Sequence, residues 1–192
     1  ATINLVPKDG AAPPLLHAAA AANAADSVQA LLTAKADVNL GDTSGATALF
    51  IAAKNDAVNV LEKLLPVPHV DLNKPRKSGA TPVYVATQNN ALGCLRALLD
   101  AGADPDASKE GGFTPSSVAC LRGNEECLSM LVEAGASVDR ASSVADRFTP
   151  LHLAANGGLD SILKILLEAG ASIRLRDSQG KTAKELSKAA GH

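Results

Sequence analysis

Residues 149–171 read TPLHLAANGGLDSILKILLEAGA. Thr149 offers a hydroxyl cap, and Pro150 sits at the first helical position, where its missing N–H costs nothing. Leu151, Leu153 and Ala154 follow at helical spacing. Asn156, Gly157 and Gly158 interrupt the helix and turn the chain. Ile162, Leu163, Leu166 and Leu167 then form the apolar stripe of a second amphipathic helix, which Gly170 ends. A hairpin of two such short helices cannot bury its apolar faces alone. The stretch therefore predicts copies of itself on either side.

The copies are present. Aligned on the paired leucines they read TALFIAAKNDAVNVLEKLL from Thr47, TPVYVATQNNALGCLRALL from Thr81 and TPSSVACLRGNEECLSMLV from Thr114. PLLHAAAAANAADSVQALL from Pro14 fits the same frame, and TAKELSKAAGH from Thr182 is half a unit. The anchors 14, 47, 81, 114, 149 and 182 are spaced by 33, 34, 33, 35 and 33 residues. With this period and its T-P-L-H-x-A core, the sequence resembles the ankyrin repeat family over roughly residues 11–192.

The resemblance implies an all-α repeat solenoid of stacked helix-turn-helix units with β-hairpin fingers. It implies one ankyrin repeat domain over 1–192, with a lead-in at 1–13, repeats starting near 14, 47, 81, 114 and 149, and a C-terminal capping half repeat at 177–192. Composition agrees. Much of the apolar content is alanine, and Trp is absent, which suits helices packed at close range. The net charge of −2, from 18 basic and 20 acidic residues, gives no reason to expect nucleic acid or an anionic membrane as partner. No apolar run is long enough to span a membrane, and no signal peptide is visible. The chain starts with Ala1 and stops inside a repeat-like unit, which reads as an excised domain or a processed product.

Cys94 and Cys127 occupy one slot in successive repeats, 33 residues apart, and Cys120 fills an alanine slot. Stacked helices lie about 8–10 Å apart, too far for a disulfide. All three cysteines read as small buried hydrophobes in a reducing compartment, so the chain is expected to be intracellular, in the cytoplasm or nucleus.

No enzyme motif survives inspection. H-E-x-x-H, G-x-S-x-G and C-x-x-C are missing. Gly180-Lys181-Thr182 imitates the end of a phosphate loop, but the earlier glycine it needs is Leu175. His17 and His152 read as structural. The resemblance implies that the motif threonine and histidine bond to each other and to the backbone, which Thr149 can do for His152 and Pro14 cannot do for His17. Phe50, Tyr84 and Ser117 in the equivalent slot argue against a catalytic array. The reading is a non-enzyme with no catalytic residue, no metal and no cofactor.

Ankyrin partners usually contact the concave side, formed by the fingers and the first helices. The motif then nominates Lys54, Asn55, Lys77, Ser78, Gln88, Asn89, Glu110, Asp146 and Asn156 as partner-facing. Phe113 and Phe148 hold equivalent slots before successive T-P steps, with Leu121 and Arg122 behind them on the first helix. Aromatics and arginine among polar residues are typical interface anchors. The finger with Lys74, Arg76 and Lys77 would complement an acidic peptide or serve as a solvated turn. The finger before Thr149 is two residues longer than standard and carries Arg147 in the place of the turn glycine, so an irregular hairpin is expected. Asn39 and Asn73, in L-x5-D-φ-N contexts, resemble asparagines hydroxylated in this family; they also suit a turn-stabilising role.

The resulting expectation is a monomeric, non-catalytic protein-protein interaction module for a protein or peptide partner, with no nucleic acid and no membrane. The alternative is a regulatory or substrate-recruiting region of a larger enzyme, channel or signalling protein.

Overall fold

Each threonine anchor does what its chemistry predicts. Thr47, Thr81, Thr114, Thr149 and Thr182 hold extended backbone and accept the N–H three residues on, which starts a helix at the next residue. Pro14 starts a helix without a side-chain cap. A computed structural model describes residues 3–4, 13–109, 111–142 and 146–192. Most of the lead-in, Glu110, and Ser143 to Ala145 of the long finger lie outside the described residues.

The chain divides into two compact units, Ala1–Asp104 and Pro105–His192. In the first, α1 (Leu15–Ala21) pairs with α2 (Ala25–Thr33), α3 (Ala48–Lys54) with α4 (Val58–Leu64), and α5 (Pro82–Gln88) with α6 (Leu92–Asp100). First helices pack in a row, α1 on α3 and α3 on α5; second helices form another, α2 on α4 and α4 on α6. In the second unit α7 (Pro115–Arg122) pairs with α8 (Glu125–Glu133), and α9 (Pro150–Asn156) with α10 (Asp160–Glu168). There α7, α9 and α11 (Ala183–Ala190) form the first-helix row, while α10 packs on α8.

The core follows from a five-residue pattern on the second helices. Val60, Leu61 and Leu64, then Cys94, Leu95 and Leu98, then Cys127, Leu128 and Leu131 are all fully buried. Each buried leucine contributes roughly 1.5–3 kcal/mol. The first helices answer with small residues, Ala52 and Ala53, Ala86, Ala119 and Ala154, which are also buried and let helices approach closely. Pro66 and Pro68 cut α4 to seven residues, where α2, α6, α8 and α10 have nine.

The fingers are short hairpin turns without extended strands. Among the described residues none lies in a strand. Each finger is closed by a hairpin-type bond, as from Asp42 N–H to the Ala46 carbonyl (2.8 Å) or from Arg76 N–H to the Ala80 carbonyl (3.0 Å). Among the described residues the first two fingers share one backbone bond, from Lys77 N–H to the Ser44 carbonyl (2.8 Å). One bond is a contact between turns, too short for a ladder. Gly45 takes φ +80°, as the turn requires. In the long finger Arg147 takes φ +54° without being glycine, and Ser142 closes the loop by donating N–H and Oγ to the Phe148 carbonyl at 2.6 and 2.9 Å.

Candidate partner-binding surface

The two motif histidines are structural ties. His152 is buried, with Nδ1 2.8 Å from Thr149 Oγ1 and Nε2 3.1 Å from the Lys181 carbonyl. His17 is equally buried, with Nε2 2.8 Å from the Ala46 carbonyl and Nδ1 without a partner. Both rings fasten a first helix to the backbone 29 residues further on. Two of the thiols are held in the protonated form. Burial, aided by the Asp56 carboxylate, pushes Cys94 up to about 12, and burial does the same to Cys120. None of the three cysteines is in a disulfide, and all are buried. Among the described residues no group of three or more His, Cys, Asp or Glu is placed to hold a metal ion.

The nominated partner-facing residues divide between the two units. In the first, Lys54, Asn55, Lys77 and Asn89 are exposed, and Ser78 and Gln88 are half-buried. Several have local work. Asn89 donates Nδ2 to the Val85 carbonyl at 2.8 Å, and Ser78 accepts from Arg76 Nε at 2.8 Å. The basic finger is largely committed: Lys74 Nζ donates to the Asn39 carbonyl (2.9 Å), and the Arg76 guanidinium lies 5.4 Å from the Phe50 ring centroid. Lys77 alone of the three is exposed.

In the second unit the surface changes character. Leu121 is 54% exposed in the slot where α3, α5 and α9 carry Lys54, Gln88 and Asn156. Arg122 beside it is exposed, and α7 runs through it because Gly123, at φ +71°, ends the helix one residue later than in α3 or α5. Phe113 and Phe148 are half-buried at the starts of α7 and α9, which pack on each other. The Phe148 ring stacks on His152 with centroids 6.2 Å apart and 28° between planes, so part of it is spent inside the repeat. Asp146 and Asn156 are exposed, and Glu110 lies outside the described residues.

Asn39 and Asn73 link fingers within the first unit. Asn39 donates Nδ2 to the His69 carbonyl (2.7 Å) and accepts the Asp71 N–H at Oδ1 (2.8 Å); Asn73 Oδ1 accepts the Asp104 N–H (2.8 Å). In the second unit Asp106 and Asp139 accept the N–H groups of Ser137 and Ser172 in the same way. One further feature has no motif behind it. An apolar groove of about 240 Å³ opens between α9, α10 and α11, lined by Leu151, Ala155, Leu163, Leu167, Ile173 and Ala183.

A model of ankyrin repeats, three copies long, matches residues 16–109 and 106–177. The chain belongs to the ankyrin repeat family. Among solved structures it is similar to the ankyrin repeat domain of Bcl-3, described as a unique member of the IkappaB protein family, with 27% identity and a TM-score of 0.84. The match covers 89% of this chain and 76% of that one. No curated protein sequence matches the chain. Ankyrin repeats are a common protein-protein interaction module, and no helix among the described residues is long and apolar enough to cross a membrane.

Proposed function

We propose that the protein is a non-catalytic interaction module that acts as a monomer. It binds a partner protein or peptide on its finger and first-helix surface, with Leu121, Arg122, Phe113 and Phe148 as anchors. Asp146 and Asn156 form a polar rim. Lys54, Asn55, Lys77, Ser78, Gln88 and Asn89 offer further contacts in the first unit. The observation that carries this reading is Leu121, a large apolar side chain 54% exposed in the slot that holds Lys54, Gln88 and Asn156 in repeats two, three and five. Covering such a leucine yields up to about 1.5–3 kcal/mol, or roughly ten-fold or more in affinity. Arg122 beside it selects a carboxylate, so the partner presents an apolar side chain next to an acidic one. The same reading places the protein inside the cell, where free thiols persist.

The test is capture of partners by wild type and by Leu121→Lys, Phe113→Ala and Arg122→Ser variants. Leu121→Lys copies the residue at the Lys54 slot and should leave the thermal melt unchanged. Loss of at least one captured protein in all three variants supports the surface. Full retention of every partner by folded variants rejects it.

A further inference from the structure

Three finger turns are built alike. Asp42, Arg76 and Asp177 each donate N–H to the carbonyl four residues on, at 2.8, 3.0 and 2.9 Å. Each also accepts, at its own carbonyl, the N–H of a glycine three residues on, with φ of +80° at Gly45, +76° at Gly79 and +77° at Gly180. In two of the three a carboxylate sits inside the turn. Asp42 Oδ1 accepts the Ser44 N–H (2.7 Å), the Ser44 hydroxyl (2.7 Å) and the Ala46 N–H (3.0 Å). Asp177 Oδ1 accepts the Gln179 and Lys181 N–H groups, both at 2.8 Å. The middle turn keeps the donors and lacks the acceptor. Arg76 stands in the aspartate slot, and a guanidinium accepts no hydrogen bond. Its Nε donates to Ser78 Oγ at 2.8 Å, and its charged end lies against the Phe50 ring. The N–H groups of Ser78 and Ala80, which match those of Ser44 and Ala46, have no partner among the described residues, and Ala80 is buried. In the third finger Lys109 holds the slot, beside Glu110, which lies outside the described residues.

We propose that the turn of residues 76–80 is a seat for a carboxylate supplied by a partner, the side chain of an aspartate or glutamate in a protein or peptide. One carboxylate oxygen takes the position that Asp42 Oδ1 holds in the first finger. It accepts the Ser78 N–H, the Ala80 N–H and the Ser78 hydroxyl, whose proton is available because its oxygen already accepts from Arg76. Successive N–H groups in a turn form a concavity that favours an anion, and bonds to an ionised acceptor are the strong ones. Arg76 and the exposed Lys77 add positive charge, and among the described residues no carboxylate pairs with either. The side chains of this finger are largely committed within the chain; its two backbone donors are not. The seat rests on the reading of Lys77 and Ser78 as partner contacts and gives that contact its chemistry. It makes no use of Leu121.

The probe is the blocked peptide acetyl-Gly-Asp-Gly-amide, whose one carboxylate is the aspartate side chain. It is titrated into the whole chain at neutral pH and constant ionic strength while backbone amide proton shifts are followed by NMR. The expected result is saturable downfield movement of the Ser78 and Ala80 amide protons. Those of Ser44 and Ala46, already bonded to Asp42, should stay still, and acetyl-Gly-Asn-Gly-amide should move none of the four. Arg76→Asp should weaken binding about ten-fold or more, because its own carboxylate then fills the seat as Asp42 does, and should not lower the thermal melt. Lys77→Ser should weaken binding only about three-fold, with the same two amides responding. Leu121→Lys should leave binding unchanged, so the seat and the Leu121 surface stand or fall separately. The seat is overturned if the Ser78 and Ala80 amides do not respond, or if those of Ser44 and Ala46 respond equally. It is also overturned if Arg76→Asp folds and binds as the wild type does; if that variant does not fold, the wild-type pattern of the four amides decides.

Discussion

His17 and Ala46 meet across the gap between the first and second repeats, with the imidazole Nε2 2.8 Å from the carbonyl oxygen. A carbonyl only accepts, so Nε2 carries the proton and Nδ1 is left as a buried lone pair without a partner. Burial lowers the pKa of His17, and the Ala46 carbonyl, Asp42 and the Leu40 backbone only partly oppose it. Below about pH 6.5 the unfolded chain takes up a proton that the folded chain refuses. Stability should therefore fall as the pH drops from 7 towards 5. A His17→Phe variant, which copies Phe50 from the same slot, should show a flatter dependence. Melting temperatures of the two proteins across this range decide it; parallel curves would remove His17 as the cause.

The orphaned Nδ1 also marks a place where stability can be added. In repeat five the equivalent atom, His152 Nδ1, has the Thr149 hydroxyl at 2.8 Å. Pro14 occupies the threonine slot of repeat one and gives α1 no side-chain cap. Pro14→Thr should supply both the cap and the missing donor. A cap contributes about 0.5–2 kcal/mol, and losing the proline costs about 0.4–1 kcal/mol in the unfolded chain. The expected net gain is about 1 kcal/mol, a rise in Tm of roughly 2–4 °C for a chain of this size. In a His17→Phe background the gain should shrink, because the hydroxyl then has no ring nitrogen to meet.

The difference between Thr149 and Pro14 was legible in the sequence because a cap is local chemistry, decided within four residues. The same holds for Gly45 in its turn and for the stop that Pro66 imposes on α4. Leu163 was not legible. It reads as one more member of an apolar stripe, and its incomplete cover depends on which helix follows α10 in space. The commitment of Arg76 to the Phe50 ring was hidden for the same reason, since 26 residues separate them. In the candidate surface, the slots of Leu121 and Arg122 followed from the motif, but the stacking of Phe148 on His152 needed the rotamers of both rings.

Gly93 is a second long-range constraint. It lies within α6, where alanine is ordinarily favoured by about 1 kcal/mol. A Cβ there would stand 2.5 Å from Val58 Cγ2 and 3.3 Å from Asp56 Oδ1. That carboxylate oxygen accepts the Cys94 N–H at 2.8 Å, so the clash also pushes on a bond that holds the start of α6. Overpacking of this kind costs about 1–3 kcal/mol, which outweighs the gain in helix propensity. Gly93→Ala should therefore lower the denaturation midpoint. Adding Val58→Ala should recover part of the loss relative to Val58→Ala alone, and a failure to recover would point away from the methyl contact.

The asparagine links give a sharper comparison, because Asn39 and Asn73 occupy the same slot but use different atoms. Asn39 works at both ends of its amide, donating to the His69 carbonyl and accepting from Asp71. The bond described for the Asn73 side chain uses Oδ1 alone, accepting from Asp104, which a carboxylate can do equally well. Asp106 and Asp139 hold that role in the second unit. Asn73→Asp should thus be close to neutral. Asn39→Asp should be destabilising, since it removes the donor and sets a carboxylate oxygen against the carbonyl of His69. Each lost bond costs about 0.5–1.5 kcal/mol, and an unpaired or repelled acceptor adds to that. Alanine at either position removes the acceptor as well, so Asn39→Ala should cost about 1–3 kcal/mol and Asn73→Ala about half as much. Chemical denaturation of the four variants measures the whole pattern. Equal effects of aspartate at the two positions would mean that the His69 bond contributes nothing to stability, and that both asparagines serve only as acceptors for the next finger.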